Sequence, residues 1–493
     1  MVDIAELGIQ ECLLLYQKKV VKEEFFKKND PSIRYFSIPN ESSRSMVTTA
    51  EPSVPPVSTG SIWVEAYGCP SNIADSEMIK GLLTADGFKL AKSQNEADAS
   101  VIVTCSVKDS TEHKMIHRIK EISKLGRPVV VAGCLAKADS TRVQSADPTI
   151  SLLGPNSIDK TVDVVKSALV NNKVLALGDS EVPKLNLPRV RLNKVISIVE
   201  ILTGCLSECS FCQTKIARGW LRSYRVGDII RQIRQDMSEG CKEVWLSSTD
   251  NGCYGRDIDL DLVDLLKSCV SIEANFMIRV GMMNPMHIPI MEEGLVKILK
   301  QNKKIFKFIH IPVQSGNDKI LRMMKRGHTV DIFKRLVNKL RNEIPRITVA
   351  TDIIAGFPTE SEDEFQDTIS LISEVRPDVV NISKYSSRPG TKASKMNKLD
   401  SKVVKKRTER LHLLVKKISN EQNLRWKNWK GRILVDEITV DAIIGRNFAY
   451  KPIYIPFTQC GLSKQQAENK LGRLVEVKVQ CVSPNALRGA PIG

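Results

Sequence analysis

No run of about eighteen uninterrupted apolar residues occurs anywhere in the 493, so no membrane-spanning helix is expected. The chain does not open as a secretory leader or transit peptide opens, because Asp3 and Glu6 precede any apolar stretch. It ends at Gly493 without an apolar tail, so no membrane anchor is expected there either. With no export signal the expected location is the cytoplasm. In that reducing compartment its 12 cysteines read as ligands rather than disulfide halves. An acidic excess is also missing. The 73 Lys and Arg outnumber the 56 Asp and Glu, for a net charge of +17. Such a balance suits a polyanionic partner, nucleic acid before an anionic membrane surface. Apolar content of 42% excludes a disordered chain, and the length leaves room for several domains.

The cysteines that are present are not scattered. Cys205, Cys209 and Cys212 form a C-x3-C-x2-C loop within Gly204–Cys212. Three thiolates this close cannot pair off as one disulfide, but they can face a single soft metal centre. A four-iron cluster ordinarily takes four thiolates; three leave one iron open to a small molecule. Zinc is the competing metal. No histidine lies in the loop and the next cysteine, Cys241, is far along, so zinc lacks a nearby fourth ligand.

Along the chain, residues 1–58 read as a tail and linker. A helix over 4–26 is followed by Pro31, Pro39, Pro52, Pro55 and Pro56, and the segment is expected to be largely disordered from about residue 37. From Ser61 strands alternate with helices. Strands over 62–67, 99–104 and 128–132 are each followed by a cysteine (Cys69, Cys105 and Cys134) and a helix. This alternation predicts an α/β domain with a parallel sheet over 59–172. Ligands bind beyond the carboxyl ends of such strands, so the three cysteines fall on one rim and suggest a second cluster site. Residues 171–188 read as a connection.

A second α/β domain is expected over 188–426. Six strands, over 195–201, 243–247, 276–280, 306–311, 347–354 and 379–383, predict a partial (β/α)6 barrel whose chemistry sits at the strand carboxyl ends. Asp250, Asn284 and Gln314 stand there. A basic helix follows over 401–427, carrying Lys402, Lys405, Lys406, Arg407, Arg410, Lys416, Lys417 and Arg425 around a buried side of Leu411, Leu414, Val415 and Ile418. Short strands over 433–437, 446–450, 453–455 and 474–479 predict a small β-barrel over 427–490. Its cations with Phe448, Tyr450 and Tyr454 would suit RNA, with at least half of those rings expected in the core instead.

Together these residues resemble the radical S-adenosylmethionine methylthiotransferases. The resemblance rests on Tyr67-Gly68-Cys69-Pro70-Ser71-Asn72, Thr104-Cys105-Ser106-Val107-Lys108, Gly133-Cys134-Leu135, Thr203-Gly204-Cys205, Ala217-Arg218-Gly219 and Tyr254-Gly255-Arg256-Asp257. It continues through His310–Gly316, Thr351–Glu360 and Arg388-Pro389-Gly390-Thr391. Val107-Lys108, Tyr254–Asp257 and Gly445–Pro452 are most similar to the archaeal and eukaryotic branch acting on threonylcarbamoyladenosine at tRNA position 37.

The resemblance implies an N-terminal methylthiotransferase domain, a radical S-adenosylmethionine barrel and a C-terminal TRAM barrel. It implies a [4Fe-4S] cluster on Cys205, Cys209 and Cys212 that binds S-adenosylmethionine, with Phe211, Asp250, Asn284 and Gln314 as cofactor contacts. A second [4Fe-4S] cluster would sit on Cys69, Cys105 and Cys134. A 5′-deoxyadenosyl radical would take hydrogen from C2 of the adenine. Sulfur and a methyl group would follow, with tRNA, a reducing electron donor and a sulfur donor as partners. The isopentenyladenosine-37 and ribosomal-protein branches share the scaffold, and a noncatalytic iron–sulfur RNA-binding protein is the remaining reading from another class. Thr249, Met283 and Gly327-His328 depart from the family pattern; none is a cysteine ligand.

Overall fold

The computed structural model describes residues 60–492 except Val107 and Lys108. The tail with its helix over 4–26, and the branch-specific pair Val107-Lys108, lie outside the described residues.

The N-terminal sheet is parallel throughout. It comprises β1 (Ser61–Ala66), β2 (Lys89–Leu90), β3 (Ala99–Thr104), β4 (Val129–Gly133), β5 (Ser151–Leu153) and β6 (Leu175–Ala176), in the order β2-β1-β3-β4-β5-β6. All six residues of β3 are buried, as a central strand covered on both faces requires. The short β2, β5 and β6 escape a sequence reading because two or three residues show no period. β6 comes from the stretch expected to be only a connection.

Helix α1 (Pro70–Ala85) leaves β1 with Pro70 in its first turn, where a missing N–H is harmless. Helix α2 (Asp109–Ser123) follows β3. Helix α3 (Cys134–Ala138) follows β4 and is short, because Asp139 ends it and caps a second short helix by accepting from the Arg142 N–H. Unusually, α1 buries polar residues: Ser71, Asn72, Asp75, Ser76 and Glu77. They face the second domain, where the Ser71 hydroxyl lies 3.1 Å from that of Ser247.

That domain begins with β7 (Ile196–Glu200). A small antiparallel pair, β8 (Leu202–Thr203) and β9 (Arg222–Ser223), flanks the C-x3-C-x2-C loop and helix α4 (Thr214–Arg218). Then come β10 (Glu243–Ser247), β11 (Met277–Val280), β12 (Phe308–His310), β13 (Thr348–Ala355) and β14 (Val379–Lys384). The six expected strands form two parallel sheets, β11-β10-β7 and β12-β13-β14, joined where Ile278 bridges Ile305. Because strand faces alternate, Val244 and Leu246 pack outward with the helical residues Ile229, Ile233 and Leu266. Trp245 points the other way, in one cluster with Ile196, Ile198, Phe308 and the N-terminal residues Ile62, Ile73 and Met78. The N-terminal domain and the barrel therefore share a core.

Helix α5 (Ser401–Leu424) is the expected basic helix, with Leu411 and Ile418 buried. Not all its cations face solvent. Arg407 is buried and pairs with Glu360 at 2.8 Å and Glu362 at 3.1 Å; Arg410 pairs with Glu362, and Arg425 with Asp378 at 2.7 Å. Beyond it lies a closed barrel, β15-β16-β17-β19-β18, made of β15 (Lys430–Ile438), β16 (Ala442–Arg446), β17 (Pro452–Pro456), β18 (Leu474–Val482) and β19 (Leu487–Pro491). The strand expected over 446–450 is instead β16, ending at Arg446, and a turn in which Tyr450 has φ of 61°. The missed β19 closes the barrel. Among the described residues no helix is long and apolar enough to cross a membrane.

Four buried charges pin the first two domains together. Lys184 donates to Asp75 at 2.8 Å and to Glu200; Arg218 donates to Asp75 at 2.8 Å and to Glu200 at 2.6 Å. Burial works against both cations, but the two carboxylates outweigh it and hold Lys184 and Arg218 above their ordinary pKa. Removing one partner of such a group strands a buried charge, at about 3–5 kcal/mol. Lys184→Met is therefore expected to lower the denaturation midpoint sharply. Adding Glu200→Gln should recover part of the loss, since Arg218 and Asp75 then balance. Chemical denaturation of the three proteins checks this.

Candidate functional site

Two groups of three cysteines stand at the carboxyl ends of strands. In the N-terminal sheet β1, β3 and β4 are neighbours, with Ala66 opposite Val103 and Thr104 opposite Gly133. Cys105 and Cys134 each follow one residue after that last pair, and Cys69 caps α1. Cys105 and Cys134 are buried while Cys69 is exposed. Gly68 makes the approach possible. Its φ is 113°, and a Cβ there would stand 2.9 Å from the Cys105 sulfur and 2.6 Å from Asn72 Nδ2.

Asn72 binds the three strand ends together. Its Nδ2 donates to the Tyr67 and Thr104 carbonyls, both at 2.9 Å, and its Oδ1 lies 3.8 Å from the Cys134 sulfur. The same Oδ1 accepts from Arg218 Nη2 at 3.2 Å. Burial pushes the Cys134 thiol up, and the Arg218 guanidinium opposes that. Arg218 closes α4, the helix directly after Cys212, so one guanidinium touches the surroundings of both cysteine groups.

The Cys205–Cys212 loop is shaped by Gly204, at φ of 72°, where a Cβ would meet the Trp220 carbonyl oxygen at 1.8 Å. The sulfurs are already supplied with donors. The Ser207 N–H reaches Cys205 Sγ at 3.3 Å, and Arg326 Nη1 reaches Cys209 Sγ at 3.3 Å. The Cys253 thiol hydrogen-bonds Cys205 and holds it below the ordinary thiol range, while burial pushes Cys212 up to about 11. Cys205, Cys253 and Asp250 offer ligand atoms within 4.8 Å of one another.

The other residues singled out in the sequence do not all converge. Asp250 and Asn284 do: the Asn284 N–H donates to Asp250 Oδ1 at 3.0 Å, and Asn284 Nδ2 donates to the Ser207 hydroxyl at 3.1 Å. Burial raises the Asp250 pKa, and His287 at 3.6 Å opposes this. Phe211 instead packs in an apolar cluster with Ile320, Met324, Phe357 and Ala393. Gln314, at φ of 75°, is held by main-chain bonds to Asp352 at 2.8 Å and Ile354 at 3.0 Å.

Of the departures from the family pattern, Met283 is fully buried and donates through its N–H to the His310 carbonyl. His328 is also buried, which pushes its imidazole down to about 3 and keeps it neutral. Thr249 is half-buried beside Asp250, and Gly327 is exposed, with Met286 Cε 2.6 Å from where its Cβ would stand.

Cys253, Ser207, Arg326 and Lys184 were not legible as site residues. Only Cys253 carried a signal, a cysteine three residues beyond a strand-end aspartate.

Of the aromatic residues expected on the C-terminal barrel, only Tyr450 is buried; Phe448 is exposed and Tyr454 half-buried. Tyr450 is buried between Phe306 and Phe308, at ring distances of 4.9 and 5.1 Å. Phe448 leans on Trp426 and Trp429, and Tyr454 donates to Asp441 at 2.5 Å. Five lysines of α5, at 402, 405, 406, 416 and 417, remain exposed.

Comparison with known proteins agrees with this architecture. The radical SAM superfamily pattern matches residues 199–372, and that of "Uncharacterized protein family UPF0004" matches residues 61–154. A Pyrococcus horikoshii protein named "Probable threonylcarbamoyladenosine tRNA methylthiotransferase" is 38% identical over 435 residues, 87% of this chain and 98% of the relative. A Drosophila pseudoobscura threonylcarbamoyladenosine tRNA methylthiotransferase is 38% identical over 445 residues, 87% of this chain and 77% of the relative. Among solved structures the radical S-adenosylmethionine methyltransferase TsrM from Kitasatospora setae superposes with a TM-score of 0.51 at 12% identity, over 68% of this chain and 74% of that one; this likeness concerns the fold alone. On identity carried across nearly the whole length of the archaeal relative, the chain belongs to the threonylcarbamoyladenosine tRNA methylthiotransferases, enzymes of the radical S-adenosylmethionine superfamily.

Proposed function

We propose that this chain converts N6-threonylcarbamoyladenosine at tRNA position 37 to its 2-methylthio derivative, working in the cytoplasm with a reducing electron donor and a sulfur donor. The observation that carries the reading is the pair of three-cysteine rims joined through Asn72 and Arg218. Both rims suit iron–sulfur clusters. Each offers three thiols with no histidine among the sequence-predicted ligands, and Gly68 lets the chain pass against Cys105 where a Cβ could not stand. At the other rim, N–H donors already point at the Cys205 and Cys209 sulfurs. Such donors support cluster thiolates and tune their potential.

In the role we assign, Cys205, Cys209 and Cys212 hold a [4Fe-4S] cluster, and Cys69, Cys105 and Cys134 a second. When bound, the first supplies reductive cleavage of S-adenosylmethionine and the second the sulfur for C2, a position whose C–H is beyond general-base chemistry. Asp250 and Asn284 order the loop through Ser207 and border the cofactor. Phe211 backs the loop, and Gln314 contributes from the end of β12. Arg218 fixes the distance between the rims. The exposed lysines of α5 take tRNA phosphates, and an anticodon-loop adenosine is cheap to unstack because it is unpaired.

Four outcomes are expected. Cys209→Ala should abolish both 5′-deoxyadenosine formation and methylthiolation. Cys105→Ala should keep cofactor cleavage and lose sulfur insertion, and intact insertion there would remove the second cluster from the mechanism. Product chromatography reads both. Nucleoside mass spectrometry of total tRNA should show 2-methylthio-threonylcarbamoyladenosine lost on gene deletion and restored by complementation. Loss of the isopentenyladenosine derivative instead would move the chain to the neighbouring branch. Finally, log affinity for tRNA should fall linearly with log salt, and neutralising Lys405, Lys406, Lys416 and Lys417 should flatten that slope.

A further inference from the structure

Exposed large apolar side chains are scattered over most of the described surface, but three of them bracket the Cys205–Cys212 loop. Leu206, Ile216 and Trp220 are 37%, 39% and 66% exposed. Leaving an indole this open forfeits its burial, the largest apolar contribution a side chain can make. The ring is nonetheless held in place. Lys215 Nζ sits 3.6 Å from its centroid, and the same ammonium donates to the Cys205 carbonyl. The Trp220 main chain rests against Gly204. One face of the indole is thus covered by a cation and tied to the cysteine loop, while most of the ring faces solvent.

The rim continues with charge. The Ile216 side chain reaches within 2.8 Å of where a Cβ on Gly390 would stand, and Lys392 lies two residues on. Lys392 and Lys325 both turn toward Glu208, inside the cysteine loop, at 4.0 and 3.9 Å. Two ammonium groups share one carboxylate, so one positive charge is left over. The repulsion is felt by Lys325, whose pKa is lowered by Lys392 beside it. An open aromatic face next to a surplus of cations is what single-stranded RNA requires, rings for bases and ammonium groups for phosphates. An acidic protein would use the same cations and could bury the indole too, so the test reads RNA affinity and electron acceptance separately.

We propose that Trp220, Lys325 and Lys392 form the landing rim for the single-stranded loop that carries the target adenosine. A neighbouring base stacks on the indole, and a phosphate takes the second place beside the two ammonium groups. This rests on the tRNA reading above and adds the nucleotides flanking the target to it.

The test uses the holoenzyme and an anticodon stem-loop RNA containing threonylcarbamoyladenosine, with iron content and visible absorbance reporting an intact cysteine loop. Trp220→Ala is expected to weaken binding about tenfold, the loss of one stacked base, and Trp220→Phe to keep most of the affinity. Lys325→Gln with Lys392→Gln, changes made wholly at the surface, should make the slope of log affinity against log salt shallower. Wild-type affinity in both Trp220→Ala and the double lysine variant would overturn the proposal. So would unchanged RNA affinity with lost electron acceptance from an acidic flavoprotein, which would give the rim to the electron donor. A wild-type enzyme that binds no RNA would instead sink the tRNA reading itself, a result visible before any variant is made.

Discussion

Everything at the candidate site depends on four buried charges. Asp75 belongs to the helix that begins at the first cysteine rim, Arg218 to the helix that ends the second, Glu200 to the first barrel strand and Lys184 to the segment between domains. Two cations and two anions neutralise one another where water is excluded. Buried ion groups rarely add much net stability, but they tolerate few alternative arrangements. Here that intolerance sets geometry. The Arg218 guanidinium can satisfy Asp75, Glu200 and Asn72 together only if the two domains meet in one orientation, and that orientation sets the spacing of the rims.

The same economy governs the third domain. Its turn over 447–451 is occupied with docking. Asn447 Oδ1 accepts from the Ala449 and Lys451 N–H groups, each at 3.0 Å, and Lys451 reaches Asp378 at 3.3 Å. Tyr450 plugs the barrel interior beside Arg279, 5.3 Å from its ring. Segments rich in cations and rings thus hold domains together, while the lysine face of α5, the rim around Trp220 and barrel cations such as Lys430, Arg432, Lys464 and Lys478 stay exposed. Lysine suits such surfaces because its flexible ammonium meets phosphates at little geometric cost, whereas Arg218 and Arg407 stand where a planar fork satisfies two carboxylates at once.

Around the cysteine loop, the donors are arranged so that thiolate charge is met before any ligand arrives. A main-chain N–H, a guanidinium and a neighbouring thiol approach Cys205 and Cys209 from three separate stretches of chain. Asp250 lies within 4.8 Å of the Cys205 sulfur and is held there by N–H groups from Gly252 and Asn284. Preorganisation of this kind makes a site of fixed shape from a loop that has little regular structure of its own.

By itself the sequence determined the family, the placement of the cysteines and most of the scaffold. Cysteine spacing and strand-end position are local properties, so Cys205, Cys209 and Cys212, the rim of Cys69, Cys105 and Cys134, and the long strands such as 99–104 and 243–247 could be read without coordinates. The tertiary structure alone decided which charges are free and which are used. Arg407 and Arg425 read as part of one basic face but lie against Glu360 and Asp378, and of the barrel rings it is Tyr450 that is core while Phe448 stays exposed. Strands β2, β5, β6 and β19 exist because neighbours pair with them. Cys253 and Arg326 join the site only because strands and helices far apart in sequence end at the same place. Such pairings depend on long-range contacts, and neither composition nor period carries a trace of them.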